Sequence, residues 1–266
     1  MFSWVLYKKE MKSSLKMLSI FIAVISLYVG MIITMYDAEA MKQLDGFFDT
    51  MPGIMEAVGM VPGSTTMIGF LATYLYGFIL IVIPMVFSIL CANKLIAKYV
   101  DNTSMASLLA APIKRHTIAI TQICVLLTGI IIIISYVTIL QLSIAQINFP
   151  GELEINKLLL LNICLLILHF LIGSVCFICS CIASSTSVSI GWGAGIPALM
   201  LIMQMLGNVG EKAGWVKNFT FFTLFNPQDI IARSTSAILN VSILGVAALV
   251  LFFIATEIFI AKDLNV

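Results

Sequence analysis

Charge is what this chain has least of. Only 10% of its 266 residues are Asp, Glu, Lys or Arg, whereas 61% are hydrophobic, and the mean hydropathy is +1.11. Soluble domains carry about a quarter charged residues, so a water-soluble fold of this length has too few charges to cover its surface. Histidine is scarcer still. His116 and His169 are the two present, and no H-E-x-x-H pair exists, which argues against a zincin-type protease. The dipeptide Gly-Lys does not occur, so the chain has no phosphate-cradling P-loop and no ATPase chemistry of that kind. There is no G-x-S-x-G and no pair of neighbouring buried acids to suggest a membrane-embedded hydrolase.

Long apolar runs are abundant. Six are long enough to cross a bilayer as helices: Met17–Tyr36, Thr66–Leu90, Thr117–Leu142, Leu158–Ala183, Ser187–Leu206 and Ile238–Ile260. They are continuous, without the period-two alternation of a membrane β-barrel. The expected fold is therefore all-α and polytopic, a single transmembrane domain over residues 1–266. Between the fourth and fifth runs only Ser184–Ser187 intervenes.

Lys and Arg placement predicts the orientation. One side holds Lys8, Lys9, Lys12, Lys16, Lys94, Lys98, Lys114, Arg115 and Lys262. The other holds Lys42, Lys157, Lys212, Lys217 and Arg233. Both termini are thus expected in the cytoplasm, and most acids fall on the opposite side. The apolar stretch after the first lysines is about 20 residues, longer than a signal-peptide core, so the first helix is read as retained despite an A-x-A-like Ala38-Glu39-Ala40.

Residues 1–16 read as a distinct interfacial amphipathic helix, with the plain positive flank of the first span as the alternative. Trp4, Tyr7, Met11 and Leu15 recur at spacings of three and four, and Lys8, Lys12 and Lys16 form a neighbouring stripe toward lipid phosphate. In the external segment 37–65, Asp49 or Thr50, Pro52 and Gly59 carry start and stop signals for a short helix. The second external segment, 207–237, carries Trp215, Phe219, Phe221 and Phe222, suited to headgroup depth.

Within the spans, Pro84 and Pro197 each remove a backbone donor and favour a kink, and Gly191 and Gly195 form a G-x-x-x-G pair that permits close helix approach. The second and fifth helices are therefore candidates for a translocation path or a subunit seam, with tolerated membrane prolines as the alternative. His169 reads as a neutral imidazole bonded to a neighbouring helix, with a proton relay as the alternative, and Glu257 as a snorkelling or helix-pairing side chain. Cys91, Cys124, Cys164, Cys176, Cys179 and Cys181 all fall in spans or at their edges and read as packing residues, not as metal ligands or disulfides.

The interruption between the second and third runs, residues 91–116, contains Asp101-Asn102-Thr103-Ser104-Met105, then Leu108-Leu109, Ala111-Pro112 and Lys114-Arg115. This order, with the basic N-terminal helix, six spans, the external MPGIMEAVGM and the ending Lys262-Asp263-Leu264, resembles the type-2 ABC exporter permeases along the whole chain. Lys94 and Lys98 stand where that family commonly has acids, and Asn102 where it has Gly. The resemblance implies a bacterial plasma-membrane permease that pairs with a second permease chain, as a homodimer or a heterodimer, and binds two separate ABC ATPase subunits. ATP and Mg would sit on those partners, with no cofactor on this chain; the lipid bilayer is its other partner and nucleic acid is not one. It further implies that Lys94, Lys98, Asp101, Thr103, Met105, Leu108, Leu109, Pro112, Lys114 and Arg115 contact the ATPase as a coupling segment.

The compact external parts are similar to those of permeases that export amphipathic peptides, such as phenol-soluble modulins, or confer resistance to antimicrobial peptides. Tyr74, Phe78, Met85, Trp192, Met203 and Gln204 would then line the path. Lipids or lipophilic drugs are alternative cargo, and an ion-coupled secondary carrier is the alternative mechanism.

Overall fold

The structure is a computed structural model that describes residues 2–36, 66–101, 113–209 and 211–262. These residues form helices and turns, with no strand among them. Six helices are long and apolar enough to cross a membrane. They are α1 (Trp4–Thr34), α2 (Met67–Asp101), α3 (Arg115–Asn148), α4 (Ile155–Ile182), α5 (Thr186–Asn208) and, after a short α6 (Pro227–Ile231), α7 (Thr235–Ala261). The protein is thus an all-α, multi-pass membrane protein, with every span falling where the apolar runs lie.

The helices run past the apolar windows at their polar ends. Once nucleated, a helix gains one hydrogen bond per added residue, so it continues until a cap or a proline stops it. Caps are visible: Ser3 Oγ accepts the Leu6 amide at 3.4 Å, Thr66 Oγ1 the Gly69 amide at 3.3 Å, and Ser185 Oγ the Val188 amide at 3.4 Å. The Ser/Thr stretch that separates the fourth and fifth runs is the α5 cap. Helix α2 extends to Asp101, so the first part of the 91–116 interruption is the end of a span, with Asn93, Leu95, Ile96 and Ala97 buried.

The amphipathic N-terminal stretch and the first span are one unbroken helix. Its 31 residues cover about 46 Å, well beyond the ~30 Å hydrocarbon core. Its contacts fix its course. Helices α2 and α3 are antiparallel, with Tyr76 opposite Gln141 and the Phe87 ring against Gly129. That register sets Lys94 level with Gln122. The Ser3 amide donates to Thr121 Oγ1 at 3.1 Å, and Lys94 Nζ donates to Ser14 Oγ at 3.2 Å. Both ends of this stretch therefore touch the α2–α3 pair, with about 16 Å of helix between them. Beyond Ser14 the helix climbs beside α3, where Ser26 Oγ and Tyr136 Oη lie 2.7 Å apart.

Helix α4 is the centre of the molecule. It packs against α2, α3, α5, α6 and α7. Its Leu161, Leu165, Leu168, Ile172 and Phe177 are fully buried, while apolar side chains such as Leu27 of α1, Leu199 of α5 and Leu249 of α7 are exposed.

Candidate functional site: two proline helices clamped to α4, and a capped rim

Pro84 lies inside α2 and Pro197 inside α5. A proline has no N–H, so the carbonyl four residues earlier loses its helical donor. In a bilayer core no water replaces that donor, and another group must. For Pro84 the deprived carbonyl is Leu80, and His169 Nε2 lies 2.8 Å from its oxygen. For Pro197 it is Gly193, and the Cys176 thiol donates to its oxygen at 3.5 Å. Both donors come from α4, seven residues apart, two turns along one face.

A carbonyl only accepts, so His169 carries a proton on Nε2, and the imidazole is bonded to a neighbouring helix. Its Nδ1 is buried without a hydrogen-bond partner. Cys176 packs in the core and also serves the carbonyl that Pro197 frees.

Further along the same helix, Asn162 Nδ2 donates to Gln141 Oε1 at 3.1 Å, and Tyr76 Oη donates to the same oxygen at 2.9 Å. Tyr76 sits in a π-helical turn, Leu75–Ile79, and Asn93 opens a second, Asn93–Ala97. Each such turn carries an extra residue and rotates the helix beyond it, a device concentrated at functional places. Proline hinge and π-helical turns thus make α2 the most irregular of the described spans.

At the end of the bundle that holds Asp101, Arg115 and Lys262, helices close one another's termini. The Asp101 carboxylate accepts the Thr186 amide at 3.3 Å and its hydroxyl at 2.6 Å, placing negative charge on the first turn of α5. Lys262 Nζ donates to the carbonyls of Cys181 at 2.9 Å and Ala183 at 2.5 Å, at the C-terminus of α4. Partial burial holds the Lys262 ammonium below the usual lysine range, opposed by the Cys181 thiol. Arg115 Nη1 donates to the carbonyls of Ile260 at 3.1 Å and Lys262 at 2.9 Å, closing α7. Beside this rim Glu10 is 2% exposed and accepts from Tyr99 Oη at 2.5 Å.

These positions sort the residues expected from sequence. Lys94, Asp101 and Arg115 are engaged within the chain, whereas Lys98 and Lys114 are exposed. Thr103, Met105, Leu108, Leu109 and Pro112 lie outside the described residues, as do Asp263, Leu264 and the external helix signals Asp49, Thr50, Pro52 and Gly59. Trp4 is exposed and stacks on Tyr7, Lys8 sits 5.3 Å over the Trp4 ring, and Lys12 is exposed.

The expected path residues are spread over different environments. Met85 is buried, Tyr74, Phe78 and Met203 are half-buried, and Trp192 is 65% exposed on the outside of α5. Gln204 Oε1 accepts from the Thr220 and Thr223 hydroxyls, each at 2.7 Å, and so anchors the 211–224 turns to α5. Glu257 is exposed near the end of α7.

Two glycines were missed because nothing local marks them. A Cβ on Gly129 would lie 2.6 Å from the Phe87 ring, so its absence lets α2 and α3 meet. Gly193, midway between Gly191 and Gly195, makes the α4–α5 contact against Cys176 and Cys179, with Ser180 and Ser189 hydroxyls 2.9 Å apart beside it. Gly191 and Gly195 themselves face open space within the chain. No protein-family model, curated protein or solved structure matches this chain.

Proposed function

We propose that this chain is the permease subunit of an ATP-driven ABC exporter of the type-2 kind. It pairs with a second permease chain and with two separate ATPase subunits on the cytoplasmic side of a bacterial plasma membrane. Its cargo is amphipathic or hydrophobic, with peptides such as phenol-soluble modulins and antimicrobial peptides first in line.

The observation that carries this reading is the position of Asp101. It ends α2 inside the 91–116 segment, whose sequence resembles a coupling element, and its carboxylate holds the first turn of α5. A force applied to that segment from outside the membrane therefore reaches both proline-bearing helices together. Each of those helices has a gap in its own backbone ladder at its proline and is steadied there from α4. Rigid helices joined at discrete hinges are the means by which a small push becomes a rearrangement of the whole bundle. The Lys/Arg excess at the same end supports placing it in the cytoplasm.

The test is whether an adjacent reading frame encodes an ABC ATPase without membrane spans that co-purifies with this chain, followed by ATP turnover in lipid. A stable complex whose turnover rises with added amphipathic peptide supports the proposal. Leu108→Asp with Leu109→Asp is expected to break both. If complex and turnover survive that change, the coupling element is misplaced; if transport follows an ion gradient and ignores ATPase blockade, the chain is a secondary carrier.

A further inference from the structure

The first turns of α1 present three faces at once. Leu6, Glu10, Ser14 and Leu18 point into the bundle and are buried. At 100° per residue, Trp4, Met11 and Leu15 occupy one flank, where Trp4 is 58% and Leu15 54% exposed. Lys8, Lys12 and Lys16 form a stripe on the outer face, all exposed.

The flank and the stripe meet where the Lys8 ammonium rests over the Trp4 ring, 5.3 Å from its centroid. Phe2 and Tyr7 close the aromatic group, with ring centroids 5.4 Å apart. The single acid before residue 37 is Glu10, and it is withdrawn from this surface, bonded to Tyr99 with Lys9 4.0 Å away. The stripe therefore has no counter-charge on its own segment. Both ends of the segment are held to the bundle, since Ser3 meets Thr121 and Ser14 meets Lys94.

We infer that this face is a binding surface for anionic phospholipid. The Trp4–Leu15 flank lies among acyl chains, and Lys8, Lys12 and Lys16 bind the headgroup phosphates. Zwitterionic lipid satisfies the flank and leaves three ammonium groups unbalanced. An aqueous protein partner satisfies the lysines and leaves a large apolar flank outside any bilayer. Anionic lipid answers both. This inference goes beyond the transport proposal and stands or falls without it, because its test involves neither ATP nor cargo.

The test uses the full chain with Trp192→Phe and Trp215→Phe, which leaves Trp4 as the one tryptophan. The protein is reconstituted in phosphatidylcholine vesicles with a small fraction of brominated lipid, either phosphatidylglycerol or phosphatidylcholine. At roughly fivefold preference per lysine near the surface, the brominated anionic lipid is expected to be enriched around Trp4 by at least about tenfold. Raising salt to about 0.5 M is expected to shrink that preference in the protein with its lysines intact. Lys8→Gln with Lys12→Gln and Lys16→Gln is expected to bring it close to parity. Equal quenching by the two lipids overturns the inference. Quenching by neither overturns it as well, since Trp4 then faces water or a protein partner. A preference that survives the triple substitution removes these lysines as its source.

Discussion

The pairing of Pro84 with His169 makes a prediction that a single variant cannot test but a cycle of four can. Replacing His169 by Phe keeps a flat ring of similar size and removes the donor to the Leu80 carbonyl. A buried acceptor left unsatisfied costs about 1–3 kcal/mol in proteins generally. Inter-helix hydrogen bonds in membrane proteins measure lower, about 0.6 kcal/mol on average and up to about 1.7. The Leu80 carbonyl belongs at the upper end of that range, because Pro84 denies it the helical donor that an unbonded polar group in a membrane helix otherwise finds.

His169→Phe also removes the unpartnered Nδ1, a relief that offsets part of the loss. The expected net cost is about 1 kcal/mol, a several-fold shift in the unfolding equilibrium. Pro84→Ala supplies a new N–H four residues after Leu80. In that background the carbonyl is served within α2, and His169→Phe is expected to cost close to nothing. The measurement is equilibrium unfolding in mixed micelles titrated with denaturing detergent, followed by far-ultraviolet circular dichroism, on the four proteins of the cycle. A coupling of about 1 kcal/mol between the two sites supports the clamp. If His169→Phe costs the same with and without Pro84, the imidazole does not serve the proline-freed carbonyl and the reasoning fails.

The same cycle on Cys176→Ala and Pro197→Ala is expected to give a smaller coupling, below about 1 kcal/mol, because a thiol is a weak donor. Gly129→Ala forces its methyl into the Phe87 ring and is expected to cost about 1–3 kcal/mol by the same unfolding assay, with most of that recovered by adding Phe87→Leu. Gly191→Ala and Gly195→Ala meet open space, so the isolated chain should be unchanged within about 0.5 kcal/mol. Cross-linking in lipid decides whether the same changes weaken pairing of two chains. Asp101→Asn removes a charge from the first turn of α5 and is expected to cost about 0.3–1 kcal/mol, read as faster proteolysis near the α4–α5 turn.

The spans were legible because burial in lipid is written residue by residue as apolarity. Ser184–Ser187 was legible as a break because Ser185 caps α5 with its own side chain, a local act. His169 was legible for a related reason: an imidazole inside a span needs a partner, and a neighbouring helix is the nearest source. Its partner was not legible, because Leu80 O becomes available only through Pro84 and only once α4 lies against α2.

Gly193 shows the same limit. Sequence spacing singles out Gly191 and Gly195, yet the helix rotation that α4 imposes turns Gly193 inward and those two outward. The N-terminal face was read as Trp4, Tyr7, Met11 and Leu15. Tyr7 leaves that group, its hydroxyl donating to Thr128 Oγ1 at 3.0 Å. Periodicity records which residues share a face, and α3 decides which of them it takes.

The capped rim has a consequence for the order in which the chain can be assembled. Helix α4 emerges from synthesis well before α7, so its last carbonyls wait for an ammonium, Lys262, that follows the final span. The end of α7 is closed by Arg115, made 145 residues before Ile260. The hinge-bearing α5 takes its first-turn anion from Asp101, already made when it is threaded. A nascent bundle stalled before α7 therefore lacks the ammonium that closes α4 but already has the carboxylate that meets α5. Completion of the last span is the event that locks the rim, so truncation there should release a protein that inserts normally and is then cleared by quality-control proteases.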